Sequence, residues 1–475
     1  MNIKNIFLTP FLIVFFSSGA FTQGSKTVKW ISSTNTTRWE WQPDLTINQT
    51  EQTSSDKVEI YADKPQQLIE GFGGCFNEKG WDALQSLDKN TQDSILSELF
   101  QPGKGCCFTI CRMPIGASDY AQNWYSLDDT YGDYEMKHFN IERDQRCLIP
   151  YIKAAKKYNP GLRIWASPWS PPVWLKTNNN YACKKSSKND LRCCEGKKGV
   201  TLFKMDDASL KAYAVYFSKF ITAYREQGIE VYAVHVQNEF NSCQIFPSCI
   251  WNTTDMNRFI GSYLGPQFTR DGLSTEIWLG TIERPSIAKI DTILSDPISS
   301  KYIKGMGFQW GGRGALTEAH YKYPKMKIMQ TETECGNGSN DWAAARHTFG
   351  LMKFYLSRGA NSYMYWNMIL DQSGKSTWGW KQNAMIVINQ RTQKVTFTPE
   401  FYLMKHFSHF IDSGAHNLNT SDLSRDIIAF QNPDGKIIIV TSNNNKQNKN
   451  VVIKIGNKSF SADLKAFSFN TFIVD

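Results

Sequence analysis

Residues 231–240, VYAVHVQNEF, decide the fold of this chain. Four of the first six residues are aliphatic, and such a short apolar run is typical of a buried parallel strand. The run ends in Gln237, Asn238 and Glu239. Catalytic groups of an α/β barrel project from the carboxyl ends of its strands, so Glu239 is a candidate general acid with Asn238 as its hydrogen-bonding neighbour. Taken alone, the stretch is explained equally well by a strand-end glutamate that meets solvent.

A second apolar run also ends in acidic residues. Residues 327–336 read KIMQTETECG, and Glu332 and Glu334 follow the apolar part. Two carboxylates at strand ends are the minimal equipment for glycoside hydrolysis, because one protonates the departing oxygen and the other attacks the sugar or activates water. Side chains alternate along a strand, so both glutamates can point the same way, and periodicity leaves the choice between them open.

The composition is that of a globular protein with many aromatic side chains. The 475 residues suffice for one large barrel and a smaller module. Hydrophobic residues make up 41% and charged residues 20%, whereas the aromatic share reaches 13%. Aromatic faces stack well on sugar rings, although most of these side chains are expected in the core.

The N-terminus predicts export. A lysine at position 4, an apolar run over 6–16 and small residues at 17–20 are typical of a secretory signal peptide, so residues 1–23 are excluded from the fold. No later stretch is apolar for long enough to form a transmembrane segment. We therefore expect a secreted protein, extracellular or periplasmic, that is soluble after the signal peptide is removed.

The cysteines fit an oxidising compartment. There are 11, an odd number, so at least one thiol stays free if all the others pair internally. Five of them crowd two loops and are the disulfide candidates: Cys183, Cys193 and Cys194 in one loop, and Cys243 and Cys249 in the other. No spacing matches a zinc site and no His-Glu-x-x-His motif occurs. We therefore predict no structural metal and no cofactor.

The net charge of +9 comes partly from one stretch, residues 184–198. Its basic residues are Lys184, Lys185, Lys188, Arg192, Lys197 and Lys198. A solvated basic loop explains this better than contact with an acidic surface or substrate, and we expect no nucleic-acid partner.

The middle of the chain alternates strands with helices. The strand candidates are 69–73, 108–114, 162–167, 231–236, 275–281, 305–310, 327–331 and 362–366. The clearest helix carries apolar residues at 210, 213, 214, 217, 221 and 224 and ends before Gly228. Eight such units predict a (β/α)8 TIM barrel over residues 66–404. In this count Glu239 follows the fourth strand and Glu332 the seventh.

Both ends of the chain predict an appended β-sandwich side domain. From residue 405 to 475, short strands near 427–430, 437–440, 451–455 and 467–474 are joined by turn residues. Residues 24–65 contain strands at 29–31 and 58–61 with a Thr/Asn/Gln/Ser-rich stretch between them that reads as loop. These two strands lack local partners, so we expect them to complete the sandwich, which serves as a buttress rather than as a sugar-binding domain.

Four ordered motifs carry a resemblance to a known family. They are Gly71-Phe72-Gly73-Gly74, Arg112-Met113-Pro114-Ile115, residues 166–177 (ASPWSPPVWLKT) and Asn238-Glu239. With them, nearly the whole chain after residue 23 resembles glycoside hydrolase family 30, which includes lysosomal glucosylceramidase and microbial β-1,6-glucanases. The resemblance implies an acid/base on strand four, Glu239, and a nucleophile on strand seven, Glu332 rather than Glu334.

The same resemblance implies roles for further residues. Trp169 and Trp366 match tryptophans that line the sugar pocket, and Asn238 matches the residue that holds the 2-hydroxyl group. Glu78 falls where glucosylceramidase-like members have a sugar-binding aspartate. Arg112 is expected to keep Glu332 ionised. Trp310, at the end of strand six, is expected to stack in the cleft, and Asp119 is left out as structural.

These residues imply a retaining hydrolysis of a β-linked glucoside or glucan by a monomer. Phe240 and Gly311 depart from the glucosylceramidase pattern near the leaving group, which weakens any transfer of ceramide specificity. The alternatives are an endo-β-1,6-glucanase that acts on polysaccharide and a barrel that binds carbohydrate without cleaving it. Retention of both acids, of Asn238 and of the tryptophan pair disfavours the last.

Overall fold

The computed structural model describes residues 27–48, 57–192, 199–423 and 426–475. Three predictions lie partly or wholly outside these ranges: the signal peptide, the disulfide candidates at 193 and 194, and the end of the basic stretch at 197 and 198.

The strands are numbered in chain order. The first group is β1 (Thr27–Thr34), β2 (Glu40–Thr46) and β3 (Lys57–Leu68). The second is β4 (Gly71–Cys75), β5 (Ile110–Ile115), β6 (Arg163–Pro168), β7 (Val231–His235), β8 (Glu276–Ile282), β9 (Ile303–Gln309), β10 (Lys327–Glu332) and β11 (Ser362–Asn367). The third is β12 (Ile369–Asp371), β13 (Ile386–Asn389), β14 (Lys394–Phe397), β15 (His416–Thr420), β16 (Ile427–Gln431), β17 (Ile437–Asn443), β18 (Lys449–Ile455), β19 (Lys458–Leu464) and β20 (Ser468–Val474).

The helices are numbered in the same way. They are α1 (Glu78–Gln85), α2 (Lys89–Phe100), α3 (Leu148–Tyr158), α4 (Asp207–Glu226), α5 (Thr253–Phe259), α6 (Gly265–Arg270), α7 (Ile287–Leu294), α8 (Pro297–Ser300), α9 (Leu316–Lys322), α10 (Trp342–Leu356) and α11 (Pro399–Ser408). Short 3₁₀ turns cover Asp144–Arg146, Val173–Leu175 and Trp310–Ala315, and a π-helical turn covers Ile260–Leu264.

Eight parallel strands, β4 to β11, form the closed barrel that the sequence predicts, so the predicted fold class is confirmed. The barrel closes where β11 pairs with β4, with Ser362 opposite Gly71. Gly73 shows why the first strand is rich in glycine, since a Cβ there would lie 1.7 Å from the Ile110 carbonyl oxygen of β5. Because no side chain fits in that gap, the two backbones can approach closely.

The predicted helix over residues 210–224 is α4, and its sequence explains its limits. The Asp206 side chain accepts a hydrogen bond from the Ser209 N–H at 2.9 Å, which caps the first turn. All six apolar positions of the predicted pattern are buried. Gly228, with a φ of 77°, lets the chain leave the helix in a left-handed conformation.

The barrel interior is filled by side chains below the mouth. Six buried residues from six strands form this layer: Ile110, Trp165, Ala233, Trp278, Met329 and Met364. The buried His235 ring lies between Trp165 and Trp278, with centroid distances of 4.3 and 5.3 Å. This filling closes the barrel from below, so a substrate can enter only from the carboxyl ends of the strands.

A nine-stranded sheet forms the sandwich, in the order β19-β18-β3-β15-β16-β17-β20-β1-β2. The sheet bends so that its two ends meet at a bridge between Asn48 and Ser459. Side chains such as Trp30 and Phe472, with ring centroids 5.6 Å apart, fill the space between the layers. Strands from both ends of the chain therefore share one core.

Three strands of this sheet were not predicted. The stretch between the two N-terminal strands was interpreted as loop, which is wrong for β2, and β15 and β19 were missed. Strand β2 is mostly exposed and contains Pro43, as an edge strand can, so no buried alternation marks it. Strand β2 is instead specified by its hairpin pairing with β1, which a pattern within β2 alone does not show.

Helix α11 joins the two parts and spans the predicted boundary at 404/405. His406 exchanges hydrogen bonds with Thr471 Oγ1 of β20 at 2.8 Å and with Ser33 Oγ of β1 at 2.9 Å. Trp39 packs against Phe410 just beyond the helix, with centroids 5.6 Å apart. The helix is therefore held by the sheet on one side and by the barrel on the other.

Two further predictions concern membrane-spanning helices and disulfide bonds. In the described ranges, no helix combines the length and the apolar character that a membrane crossing requires. No two described cysteines are joined by a disulfide, and the Cys183 thiol contacts the Ser248 carbonyl oxygen at 3.2 Å. Because residues 193 and 194 lie outside the described ranges, the predicted disulfide of these loops stays a prediction.

Candidate active site

The two candidate acids lie at the carboxyl ends of barrel strands. Glu332 is the last residue of β10, and Glu239 follows β7 by four residues. The backbone of Glu239 is left-handed, with a φ of 47°, and its N–H donates to Thr281 Oγ1 at 3.1 Å. A non-glycine residue in this conformation is strained, so its neighbours hold the Glu239 side chain in a defined direction.

One oxygen of Glu332 accepts hydrogen bonds from two side chains. Arg112 Nη1 donates to Glu332 Oε2 at 2.5 Å, and Gln309 Nε2 donates to the same oxygen at 2.9 Å. Arg112 is fully buried inside the barrel. The other oxygen, Oε1, has no hydrogen-bond partner among the described residues, so it is the one left for a ligand.

Asn238 is the centre of the same network. Its Oδ1 accepts hydrogen bonds from Arg112 Nη2 at 2.7 Å, Gln309 Nε2 at 2.9 Å and Thr281 Oγ1 at 3.0 Å. With Oδ1 turned to these donors, the amide nitrogen of Asn238, which has no partner within the described part of the chain, is left to donate to a ligand.

Aromatic rings enclose the arginine. Trp169 and Trp366 stack at a centroid distance of 5.2 Å and an interplanar angle of 27°. The Arg112 guanidinium lies over both rings, 4.3 Å from the first and 5.3 Å from the second. Cation–π contact and burial fix the guanidinium plane, which preorganises the donors to Glu332 and Asn238.

The two carboxyls affect each other's ionisation. Burial raises the pKa of Glu332 to about 7, Arg112 opposes this rise, and Glu239 adds to it. Burial also raises the pKa of Glu239, whose Oε2 accepts one hydrogen bond from Gln244 Nε2 at 3.2 Å. Since the cationic Arg112 donates directly to Glu332, a proton shared by the pair is best held by Glu239.

Asp119 was left out of the predicted site, yet it faces this pair. It is 5% exposed, and its Oδ1 has no hydrogen-bond partner in the described structure. Burial raises its pKa, and Glu332 and Glu239 raise it further. A carboxyl in a loop of small residues directly after the second barrel strand was the signal available in the sequence.

Gln309 and Glu283 were also missed. Gln309, the last residue of β9, links Asn238 to Glu332 as described above. Glu283 follows β8, and its Oε1 accepts hydrogen bonds from the Asn241 N–H at 3.0 Å and from Ser242 Oγ at 3.1 Å. Burial, followed by the neighbouring Glu239, raises the pKa of Glu283 to about 7. Glu283 thus braces the turn that carries Glu239.

The remaining predicted residues lie outside this network. Glu78 is buried at the start of α1, where Arg143 Nε and Nη2 each donate to it at 2.9 Å and the Gln122 N–H donates at 2.7 Å. Trp310, 37% exposed, lies at the rim after β9. Glu334 pairs with His347 Nε2 at 2.7 Å.

The structure thus brings together Glu239, Glu332, Asn238, Arg112, Trp169 and Trp366. Across the described ranges, no group of three or more His, Cys, Asp or Glu side chains is arranged to hold a metal ion. What the site offers is a coupled carboxyl pair, oriented amides and an aromatic wall, which suits acid/base and nucleophilic chemistry on a polar ring.

Two family models match the chain. The "Glycosyl hydrolase family 30 TIM-barrel domain" matches residues 69–411, and the "Glycosyl hydrolase family 30 beta sandwich domain" matches residues 411–472. Putative glucosylceramidase 1 from Caenorhabditis elegans is 31% identical over 408 residues, which is 81% of this chain and 75% of that protein. Endo-1,6-beta-D-glucanase neg1 from Aspergillus fumigatus is 28% identical over 432 residues, 86% of this chain and 85% of that protein.

Among solved structures, SrfJ from Salmonella typhimurium has the same fold. It superposes with a TM-score of 0.84 at 23% identity and covers 94% of this chain and 99% of its own.

Proposed function

The chain belongs to glycosyl hydrolase family 30, and from this premise we propose that it is a retaining β-glycosidase that hydrolyses β-glucosidic bonds by double displacement. The observation that carries the proposal is the pair of carboxyls beyond the carboxyl ends of β7 and β10: the half-buried Glu239, and the buried Glu332, which Arg112 contacts at 2.5 Å. An ionised nucleophile beside a protonated acid is the arrangement that double displacement requires.

In the first step, Glu332 Oε1 attacks the anomeric carbon while Glu239 donates its proton to the glycosidic oxygen. The carbon–oxygen bond breaks, the leaving group departs as an alcohol, and a covalent glycosyl ester forms on Glu332. Arg112 and Gln309 hold Oε2, so the attacking oxygen is the one without a partner. In the second step, Glu239 takes a proton from water, whose oxygen attacks the anomeric carbon. The bond between that carbon and Glu332 breaks, the Glu332 carboxylate is restored, and the sugar leaves as its β-anomer.

The pocket side chains supply binding. The free amide nitrogen of Asn238 is placed to hold the hydroxyl next to the anomeric carbon, a contact that tightens in the transition state. Trp169 and Trp366 form the wall of the sugar pocket. The unpartnered oxygen of Asp119 is an acceptor for another sugar hydroxyl, a role that had been assigned to Glu78. Trp310 stays the predicted stacking residue at the rim.

Replacement of each acid tests the mechanism. Glu332→Gln should abolish turnover of an aryl β-glucoside and keep the native circular-dichroism spectrum, but it should lower the unfolding midpoint, because the buried Arg112 loses its carboxylate partner. Glu239→Gln should retain a fast first step on aryl glucosides with good leaving groups, because these need no protonation, and should accumulate the covalent ester. Proton NMR of the first product should show the β-anomer. An α-anomer, or full activity of Glu332→Gln, would contradict the proposal.

The leaving group is the open part of the function. The names of relatives point to glucosylceramide in one case and to 1,6-β-glucan in the other. Initial rates on an aryl β-glucoside, on a linear β-1,6-glucan and on glucosylceramide separate these alternatives. A barrel that only binds carbohydrate would turn over none of the three.

Export is proposed on the sequence alone. Residues 1–23 have the character of a signal peptide, and a set of 11 cysteines fits an oxidising compartment. N-terminal sequencing of protein from the medium or periplasm should find a start near residue 24. Size-exclusion chromatography with light scattering checks the expected monomer.

A further inference from the structure

A groove outside the carboxyl pair is built from the loops that follow β5 and β6. Its volume is about 490 Å³, and its lining residues are Trp124, Val173, Asn179, Asn180, Tyr181, Ser187, Lys188, Asn189 and Asp190. We propose that this groove, called the loop groove below, binds a further sugar unit of a β-glucan whose bond is cut at Glu239 and Glu332. The proposal rests on the proposed function and extends it to an oligomeric or polymeric substrate.

The loop groove opens at the same end of the barrel as the carboxyl pair. Val173 is four residues beyond Trp169, which packs on Arg112, so a chain segment no longer than ~14 Å separates groove and pocket. Trp124 belongs to the loop after β5, the strand that carries Arg112. A glucan chain that places one unit in the pocket can therefore reach the groove with another.

Two aromatic rings form the apolar part of the groove. Trp124 and Tyr181 are nearly parallel, with ring planes 12° apart and centroids 5.8 Å apart. At that centroid distance parallel rings are offset, so part of each face stays uncovered. Trp378 supports Trp124 from another side, with centroids 4.8 Å apart. The pair is thus a fixed platform of the kind on which the C–H face of a sugar packs.

The loop is held in place before any ligand binds. Lys176 is fully buried, and its Nζ donates to the Tyr181 carbonyl at 2.9 Å and to the Ser248 carbonyl at 2.7 Å. Asn180 Nδ2 donates to Asp190 Oδ1 at 2.7 Å. Asn189 Nδ2 donates to the Lys184 carbonyl at 2.9 Å. Binding to such a preorganised loop costs little conformational entropy.

The polar lining suits an uncharged, hydroxyl-rich ligand. Asn179 and Ser187 are exposed, and neither side chain has a hydrogen-bond partner among the described residues. Lys188 and Asp190 bring opposite charges to the same groove, so their net contribution is zero. An anionic polymer would meet Asp190, and an acyl chain would meet amides and hydroxyls, whereas a neutral sugar can satisfy both the rings and the polar groups.

The test compares kcat/KM on a short and on a long substrate in variants of Trp124 and Asn179. Trp124→Ala should lower kcat/KM on a linear β-1,6-glucan about 3- to 10-fold, the loss expected for one aromatic contact, and change kcat/KM on an aryl β-glucoside less than twofold. Trp124→Phe should restore most of the loss. Asn179→Gly, which removes the amide and suits the left-handed backbone at this position (φ 46°), should reduce kcat/KM on the glucan alone.

A binding measurement distinguishes a failure of this proposal from a failure of the proposed function. In the Glu332→Gln background, calorimetry with a β-1,6-linked gluco-oligosaccharide should show weaker binding when Trp124→Ala is added. Tyr321→Ala, which alters a 78% exposed ring on α9, is the matched control and should change nothing. If Trp124→Ala lowers kcat/KM equally on the glucan and on the aryl β-glucoside, or on neither, the proposal that the loop groove binds a sugar unit is wrong. If the wild type cleaves no β-glucoside but Trp124→Ala still weakens binding, the proposed function fails and the groove stands.

Discussion

At the residue scale, Arg112 has two tasks, since one nitrogen neutralises Glu332 and the other orients Asn238. Arg112 lowers the pKa of Glu332, and the proposed nucleophile must be ionised, so activity falls as the pH drops through that pKa. Arg112→Lys loses the planar fork and weakens the neutralisation. We expect the acidic limb of the kcat/KM profile against pH to move to higher pH. An unmoved limb with a uniformly lower rate would show that Arg112 acts by position alone.

Asp119 is a case in which activity and stability should change in opposite directions. Its buried, unpartnered oxygen is costly in the free protein and useful only when a sugar hydroxyl is bound. Asp119→Asn should therefore lower kcat/KM on an aryl β-glucoside by about 10- to 100-fold and leave the unfolding midpoint equal or higher.

Glu78→Gln tests the alternative sugar-binding carboxyl. Because Glu78 pairs with Arg143, its replacement should lower the midpoint, and a larger catalytic loss than for Asp119→Asn would restore Glu78 as the sugar ligand.

Among the site residues, the two acids could be predicted from the sequence because each follows a recognisable strand. Glu239 and Glu332 each follow an apolar run, so their position could be predicted from the pattern. Asp119 and Glu283 lie in loops without periodicity, and their burial depends on neighbours from other strands. Gln309 does end an apolar run, but an amide has no titration to draw attention to it, and only the three-dimensional network reveals its contact with Glu332.

At the element scale, the barrel strands were predictable because each is buried on both faces. A continuous apolar run, such as the one in β7, needs no knowledge of its partners to be recognised. The strands of the side domain differ. Strand β2 is mostly exposed, and β2 and β19 lie at the two ends of the sheet and pair with the strand before them in sequence, so neither is a continuous buried apolar run. Local pattern therefore identified the barrel almost completely and the sandwich only in part.

Helix α11 carries a pH-dependent contact. Burial lowers the pKa of His406 to about 3, below the ordinary value of 6.5, so the folded protein keeps the ring neutral. The unfolded chain binds a proton below pH 6.5, so the stability that His406 contributes is present above that pH and is lost as the pH falls toward 3. Between pH 6.5 and pH 5 the loss should reach about 2 kcal/mol.

Urea unfolding of His406→Gln measures this contribution. At pH 7 the variant should be less stable than the wild type by about 1–3 kcal/mol, because two buried hydrogen bonds are disturbed. The difference should shrink as the pH falls to 5, since glutamine does not titrate. His138→Gln, at an exposed site, is the control and should follow the wild type at both pH values. A constant difference would contradict the assignment of the pH dependence to His406.

At the scale of the whole molecule, the two ends of the chain close one sheet. Strand β20 lies between β1 and β17, and β3 lies between β15 and β18. The pairings of β1 with β20 and of β3 with β15 and β18 join residues hundreds of positions apart, so no local pattern in the sequence specifies them. Because α11 is bonded to β1 and β20 and packs against the barrel, the side domain and the barrel should unfold together.

Two single replacements in the side domain, one of a buried and one of an exposed tryptophan, test whether the side domain and the barrel unfold together. Trp30 is buried, and its Nε1 donates to Asn470 Oδ1 at 3.0 Å, so Trp30→Ala should cost about 3–5 kcal/mol. If the molecule is one cooperative unit, the temperature at which hydrolytic activity is lost should fall together with the single calorimetric transition, although the residue is far from Glu239. Trp41→Ala, which removes a 57% exposed ring from β2, should change either midpoint little. Two separate transitions, with activity surviving the first, would mean that the barrel stands without its sandwich.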